Sequence, residues 1–182
     1  ARTVLGGYRS APSYDHVKTA VRSVGCPVLL NGNVTSFESA NKLRELTGSH
    51  GVMIGRSAIR NPWIFRQIRE SQNGEEVFCP TLLDVYGYVV DLYDSIEKPE
   101  IEERKNVGRM KKFLNFVGLS VDAEGQFLHL MRRTQSKKDL FEVCAHYLLR
   151  EGREGQFYNL EPFKGLVARP SSESSYSTCQ LG

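Results

Sequence analysis

The chain has 182 residues, a mass of 20.6 kDa and a formal net charge of +3, which suits one domain or two small ones. Because 40% of the residues are hydrophobic and 25% are charged, the chain can bury a core, and wholesale disorder is excluded. No apolar run approaches the roughly 20 residues that a membrane span needs. The cysteines are widely separated and lack zinc-site spacing, which excludes a disulfide-rich secreted mini-protein and predicts no metal site.

The first 70 residues alternate between helical and strand patterns. Apolar residues recur at steps of three and four in the predicted helices, and two short apolar runs without alternation are typical of strands buried on both faces. In chain order the predicted elements are a helix over 14–24, a strand over 27–30, a helix from the capping box at Thr35 to Gly48, a strand over 51–54 and a helix opened by Asn61-Pro62. This alternation predicts an α/β fold with a parallel sheet.

The start of the chain bears on this fold. Two strands cannot form a stable sheet alone. The sequence also begins at Ala1-Arg2-Thr3, without a methionine or a targeting peptide. We therefore expect it to be a piece of a longer protein whose other strands precede Ala1, and the alternative is that this piece cannot fold by itself.

The pattern after Gly74 is purely helical. The predicted helices run from the capping box at Thr81 through Tyr93, from Pro99 to about Val117, over 123–134, and from the cap at Ser136 to near Gly152. From Ser171 the chain is rich in serine, which predicts disorder. The predicted division is an α/β part over 1–74, an all-α helical bundle over 75–152 and an extended tail over 153–182.

The positive charge is concentrated in the helical part. Residues 104–138 hold nine Lys or Arg and two acids, a net charge of +7, whereas the remainder of the chain carries −4. Such a block predicts a polyanionic partner, and the alternative is an ordinary solvated helix surface. If the helices pack antiparallel, one patch can collect the candidate contacts, which are Arg109, Lys111, Lys112, Arg132, Arg133, Lys137 and Lys138.

Both predicted strands end in residues that suit an anion. Asn31, Gly32 and Asn33 follow the first strand, and Gly55 and Arg56 follow the second. Glycine lets the backbone approach a ligand, and arginine supplies a permanent cation. Two such neighbouring loops match the phosphate site of (β/α)₈ barrels, with the segment after Arg56 as the short extra helix. The alternative is that the glycines only permit tight turns and the arginine pairs with a surface acid.

The same loops carry a resemblance to a known family. Residues 27–65, PVLLNGNVTSFESANKLRELTGSHGVMIGRSAIRNPWIF, closely resemble the dihydrouridine synthases, flavin enzymes that reduce uridine in transfer RNA. The specific motifs are GVMIGR and NPW-x-F, and Ala1-Arg2-Thr3 with Tyr8 resembles the end of the preceding strand. The resemblance is close over residues 1–70, extends by pattern to about residue 150 and is absent from the tail.

The resemblance implies a fold and a cofactor site. The fold would be the C-terminal part of a (β/α)₈ TIM barrel followed by an all-α helical-bundle domain that binds RNA. Asn31, Gly32, Asn33, Gly55 and Arg56 would hold the phosphate and ribityl chain of FMN. An aspartate is commoner than asparagine at position 33, which puts any role that needs a carboxylate there in doubt.

The resemblance also implies that the chemistry lies outside this sequence. The general-acid cysteine, the lysine that contacts the flavin and a family histidine would all precede Ala1, so we expect no catalytic residue here. We expect Cys26, at the start of a predicted strand, to be a core residue instead.

The implied activity is that of an oxidoreductase, a tRNA-dihydrouridine synthase. Reduced FMN, with NADPH as reductant, would give hydride to uracil C6 while the cysteine protonates C5, and the uridine would leave its stack to reach the flavin. We expect a cytoplasmic monomer without membrane contact, and we expect this chain to be inactive alone. The alternatives are an RNA-binding helical module or truncated product without catalysis, and a different phosphate-binding barrel that acts on a small metabolite.

Overall fold

The computed structural model describes residues 13–153 and 155–167, and the chain divides into two compact units. Among these residues, the α/β unit comprises 13–77 and 160–167, and the helical unit comprises 78–153 and 155–159. The boundaries therefore fall three and seven residues beyond the predicted positions 74 and 152. The Ala1-Arg2-Thr3 motif, Tyr8 and the serine-rich segment from Ser171 lie outside the described residues.

The α/β unit follows the predicted order of elements. Its described elements are α1 (Asp15–Ser23), β1 (Leu29–Asn31), α2 (Phe37–Thr47), β2 (Gly51–Met53), α3 (Arg56–Arg60) and α4 (Ile64–Asn73). The strands pair in parallel, with Leu29 opposite Gly51 and Asn31 opposite Met53. Within the described part of the chain these are the only two strands, and they form one two-stranded sheet.

The core of the α/β unit lies on one face of this sheet. Leu30 is fully buried, whereas Leu29 is 62% exposed. The prediction that the first strand is buried on both faces is therefore wrong, because the described helices cover only the Leu30 face. The core collects residues from α1, β1, α2 and α4, from the position before α1 and from the loop after β1, namely Tyr14, Val17, Leu30, Val34, Ala40, Leu43, Ile64 and Ile68.

The second helix begins one residue later than predicted. Ser36, not Thr35, is the N-cap of α2, and its hydroxyl accepts from the Ser39 backbone N–H at 3.3 Å. The Ser39 hydroxyl in turn accepts from the Ser36 backbone N–H at 2.9 Å, which completes a capping box. Thr35 is thereby left for a different contact.

The start of α4 also differs from the prediction. Asn61-Pro62 does not cap this helix, because its N-cap is Trp63, without a side-chain hydrogen bond. The Asn61 amide instead donates to Gln67 Oε1 at 2.7 Å, and both side chains are fully buried. The Asn61 side chain, which the sequence pattern predicts as the cap, is therefore bound to Gln67 instead.

The helical unit contains four described α-helices. These are α5 (Leu82–Ile96), α6 (Glu103–Val117), α7 (Gln126–Met131) and α8 (Lys137–Leu148), with a 3₁₀ turn over Gly118–Ser120. The predicted caps at Thr81 and Ser136 are confirmed, since each hydroxyl accepts from the backbone N–H three residues later. The buried core includes Val85, Val89, Tyr93, Met110, Leu114, Phe127, Met131, Leu140, Cys144 and Leu148.

Three helices of this unit are shorter than predicted. The chain does not become helical at Pro99, because the Asn106 side chain binds both backbone groups of Lys98, at 2.9 and 3.2 Å, and holds the turn open. α7 begins only at Gln126, where Asp122 accepts from the first backbone N–H groups at 2.8 and 2.9 Å. α8 ends at Leu148 rather than near Gly152.

One of the described cysteines occupies a different environment from the one predicted. Cys26 is exposed in the turn before β1, so the prediction that it is a core residue is wrong. Cys144 is buried in the helical unit, where burial raises the pKa of its thiol to about 12. A thiol held protonated in this way is inert packing material.

The packing between the end of α6 and α7 leads to the first testable prediction. Gly118 has an ordinary helical φ of −64°, but an added Cβ would lie 2.5 Å from Leu128 Cδ2 and 2.8 Å from Phe127 Cδ1. We expect Gly118→Ala to lower the free energy of unfolding by about 1–3 kcal/mol through overpacking. Urea denaturation followed by circular dichroism measures this change.

A glycine within α6 provides the control. A Cβ at Gly108 would meet no atom within 4 Å. Gly108→Ala should therefore raise the free energy of unfolding by up to about 1 kcal/mol, through helix propensity alone. Equal stability of the two variants would contradict the packing described for Gly118.

Candidate functional site

The two loops with anion-binding residues leave the same edge of the sheet. Because β1 and β2 are parallel and Asn31 lies opposite Met53, the loops that follow the two strands are neighbours. Adjacent strands lie about 4.8 Å apart, so both loops can face one ligand. The structure thus brings together the two groups of residues that the sequence places at strand ends.

The first loop turns sharply directly after β1. Gly32 has a φ of 147° and Asn33 a φ of 47°, which is the left-handed region. Asparagine tolerates this conformation better than most residues with a side chain. The hydroxyl of buried Tyr14 donates to the Gly32 carbonyl at 3.1 Å, which anchors the loop to the core.

The second loop begins at Gly55 and continues into α3. Arg56 is the first residue of this five-residue helix and is exposed. A Cβ added at Gly55 would meet no atom within 4 Å, so the space beside this backbone is open. The short helix predicted for the segment after Arg56 is present as α3, which begins at Arg56 itself.

This edge of the sheet has a composition that fits a phosphate. Residues 31–36 and 54–60 include two asparagines and the exposed Arg56 but no acidic residue. Amide and guanidinium N–H groups donate to phosphate oxygens, and the guanidinium cation supplies a favourable charge. No described atom lies within 4 Å of a Cβ placed at Gly55, so no neighbouring side chain covers the backbone at this point.

A buried arginine connects the two loops through hydrogen bonds to the backbone. Arg60, at the end of α3, is 2% exposed, and its Nη2 donates to the Thr35 carbonyl at 2.8 Å. The same nitrogen donates to the Leu160 carbonyl at 3.2 Å. The Thr35 hydroxyl donates to Glu161 Oε1 at 2.9 Å. The chain thus returns to the α/β unit after the helical unit and closes over the first loop.

These contacts of Arg60 and Thr35 are not predictable from local sequence. The sequence pattern marks Arg60 only as the end of a short helix, and Thr35 only as a candidate cap. The partners lie 100 and 126 residues away along the chain, and no local pattern indicates contacts over such separations. The sequence gives one sign that Thr35 has another role. The next residue, Ser36, can also cap the helix, and in the structure it does so.

The seven candidate RNA contacts do not share one environment. Lys111 Nζ donates to the Arg132 carbonyl at 3.1 Å and also to the Thr134 carbonyl, so it binds the chain at the end of α7. Burial and the nearby charge of Arg104 lower the pKa of Lys111. The Arg132 Nε donates to Asn115 Oδ1 at 2.7 Å. Lys111 and Arg132 are thus neighbours, as the predicted patch requires.

A second group of cations lies beside carboxylates. Lys137 Nζ is 2.9 Å from Glu97 Oε2 and lies 4.5 Å from the centroid of the Tyr93 ring. Lys137 and Lys138 border a surface cavity of about 640 Å³ that is also lined by Glu97 and Glu103. The hydrogen bond to Glu97 raises the pKa of Lys137, which keeps its charge but balances it locally.

The remaining cations differ in their exposure. Lys112 and Arg133 are exposed, and Arg109 is partly buried. On an α-helix, Arg109 and Lys111 are separated by about 160° around the axis, so α6 does not present both to one surface. The exposed cations Lys112, Arg132, Arg133 and Lys138 are therefore the stronger candidates for phosphate contacts.

Two other classes of site find no support among the described side chains and helices. Within residues 13–153 and 155–167, no three His, Cys, Asp or Glu side chains come together as metal ligands. None of the described helices has both the length and the apolar character needed to cross a bilayer.

Comparison with known proteins assigns the chain to a family. A family model described as dihydrouridine synthase matches residues 1–149. The chain belongs to the dihydrouridine synthase family. The match covers all the described helices and strands of both units, including both candidate loops and the cations of the helical unit.

Several curated members of the family are similar to this chain. The tRNA-dihydrouridine(16) synthase of Neisseria meningitidis serogroup A is 27% identical over 143 residues, which cover 79% of this chain and 42% of that protein. The tRNA-dihydrouridine synthase B of Pseudomonas putida is 39% identical over 85 residues, 46% of this chain and 25% of that protein. A probable tRNA-dihydrouridine synthase of Rickettsia conorii is 31% identical over 96 residues, 52% and 29% respectively. The chain thus spans less than half the length of these relatives.

The half-buried Glu161 generates a prediction about pH. Burial raises the pKa of its carboxyl, and the hydrogen bond from Thr35 and the charge of Arg60 only partly oppose this rise. The unfolded chain therefore loses this proton at a lower pH than the folded chain. We expect the contribution of Glu161 to the free energy of unfolding to fall as pH rises from about 4.3 through the raised pKa, and to be constant above it.

Substitution isolates this contribution. Glu161→Gln removes the titrating group and should flatten that part of the stability profile, measured by urea denaturation at a series of pH values. Glu45→Gln, at an exposed position on α2, is the matched control and should leave the slope unchanged. A slope that persists in Glu161→Gln would show that another group is responsible.

Proposed function

We propose that this chain contributes the cofactor-phosphate end and the RNA-binding unit of a flavin-dependent tRNA-dihydrouridine synthase. The observation that carries the proposal is the placement of two phosphate-compatible loops side by side in a chain of the dihydrouridine synthase family. The names of the similar proteins specify transfer RNA, which supports the same substrate here.

The α/β unit would hold the phosphate and ribityl chain of FMN. Arg56 would donate to the phosphate from the start of α3, while Gly32 and Gly55 let the backbone come close. Asn31 and Asn33 would bind hydroxyl or phosphate oxygens, and an amide at position 33 avoids the repulsion that a carboxylate would exert on an anion. When bound, the flavin would supply hydride transfer to the uracil ring.

The helical unit would bind the sugar-phosphate backbone of the RNA. Lys112, Arg132, Arg133 and Lys138 are exposed and can contact phosphates, which position an RNA without reading its sequence. Lys111 would act partly through its bond to the Arg132 carbonyl, which fixes the chain that carries two of these cations. Arg109 and Lys137 would add positive charge at the edge of this RNA-binding surface.

No catalytic residue is assigned to this chain. Cys26 precedes β1 and so lies at the amino end of the strand, opposite the loops, and exposed Cys79 belongs to the helical unit. The general-acid cysteine would be supplied from sequence outside this chain. NADPH as reductant, a cytoplasmic location and a monomeric state are further parts of the same proposal.

Flavin binding provides the direct test of the first part. We expect protein expressed from the complete coding sequence to be purified with FMN and to show flavin absorbance. Arg56→Gln should weaken FMN binding by about ten-fold, because one charge-assisted hydrogen bond is removed. Fluorescence titration of the stripped protein measures the dissociation constant.

The control for this test is an arginine on α4. Arg69 is exposed, and Arg69→Gln makes the same chemical change away from the loops. It should leave FMN binding unchanged. A colourless protein that does not bind added FMN, yet still binds RNA, would favour the RNA-binding module without catalysis.

Binding of transfer RNA tests the second part. Lys112→Glu with Arg133→Glu should reduce affinity for unmodified transfer RNA and lower the slope of log K against log salt by about one for each phosphate that is no longer bound. Filter binding at several salt concentrations gives both quantities. Lys42→Glu, at an exposed position in the α/β unit, is the control. Unchanged affinity in the double variant would contradict the assignment of this surface.

A further inference from the structure

We propose that Arg60 is a positioning residue that fixes the relative position of the two loops after β1 and β2. We propose also that the segment at Leu160 and Glu161 holds Arg60 and Thr35 in place. This inference rests on the proposed FMN site. Arg60 is 2% exposed and donates to backbone carbonyls, so its action on the phosphate would be indirect.

The position of Arg60 in its helix supports this role. Arg56 and Arg60 are the first and last residues of α3, four positions apart. One faces solvent at the start of the helix, and the other is 2% exposed at its end. Because α3 is a single short helix, any shift of Arg60 would also move Arg56.

Arg60 also binds the loop after β1. Arg60 Nη2 donates to the Thr35 carbonyl at 2.8 Å, and Thr35 lies two residues after Asn33. The three polar groups of Thr35 all have partners, since its N–H donates to Ser39 Oγ at 3.0 Å and its hydroxyl to Glu161 Oε1 at 2.9 Å. Thr35 is 1% exposed, so these contacts lie away from water.

The segment after the helical unit completes the arrangement. The Leu160 carbonyl accepts from the same Arg60 nitrogen at 3.2 Å, and the neighbouring Glu161 Oε1 accepts from the Thr35 hydroxyl at 2.9 Å. The planar guanidinium fixes the directions of its hydrogen bonds, which a lysine ammonium does less well. The hydrogen bonds of this cluster therefore hold the two loops together and also fix their relative position.

The inference predicts selective weakening of binding to the phosphate group. We compare FMN with riboflavin, which has the same ring and ribityl chain but no phosphate, using protein from the complete coding sequence. Arg60→Met should weaken FMN binding by about ten-fold or more, because the bonds that fix the relative position of the two loops are lost, and riboflavin binding by less than about two-fold. Arg60→Lys should recover part of the affinity, and Arg69→Met should change neither ligand.

A milder pair of variants keeps the test informative if Arg60→Met does not fold. Glu161→Gln and Thr35→Val preserve shape while weakening the interaction between Thr35 and Glu161. Each should reduce the preference for FMN over riboflavin at an unchanged circular dichroism spectrum. Glu45→Gln is the matched control.

The outcomes separate the inference from the function on which it rests. Flavin binding by the unaltered protein, together with equal weakening of FMN and riboflavin binding in the folded variants, would overturn the positioning role alone and leave only a structural one. Absence of flavin binding by the unaltered protein would overturn the proposed function, and this inference with it.

Discussion

The parallel register of β1 and β2 is the constraint on which the candidate site depends. Because Asn31 lies opposite Met53, the chain leaves both strands at the same edge, and glycine follows each strand within two residues. An antiparallel pair would send the same loops to opposite ends of the sheet. Short strands suffice for this purpose, since the helices α1, α2 and α4 hold them through a shared apolar core around Leu30.

Local features of the fold could be predicted from sequence, and features that depend on distant partners could not. The apolar runs and the caps at Thr81 and Ser136 follow from nearest neighbours, and the structure has them. The predicted caps at Thr35 and Asn61 are wrong because those side chains bind Glu161 and Gln67 instead. A capping motif states what a side chain can do, and tertiary contacts decide what it does.

The candidate site divides in the same way. Asn31 and Arg56 can be found from sequence because the end of a strand is a local property and glycine marks it. Arg60 cannot, because its burial and its hydrogen bond to Leu160 arise only in the folded chain. The basic block is visible as composition, whereas the use of Lys111 to bind backbone carbonyls depends on how α6 and α7 pack. Charge along the sequence therefore locates the candidate surface but not its best-exposed members.

The return of the chain at Leu160 has a consequence for protein engineering. The helical unit is inserted between two parts of the α/β unit, since residues on both sides of it belong together. A chimera that exchanges everything after Val77 would carry a foreign residue at the carbonyl that Arg60 binds and at the carboxylate that Thr35 binds. Grafting should instead use both junctions, near Val77 and Asn159, so that the recipient keeps its own closing segment.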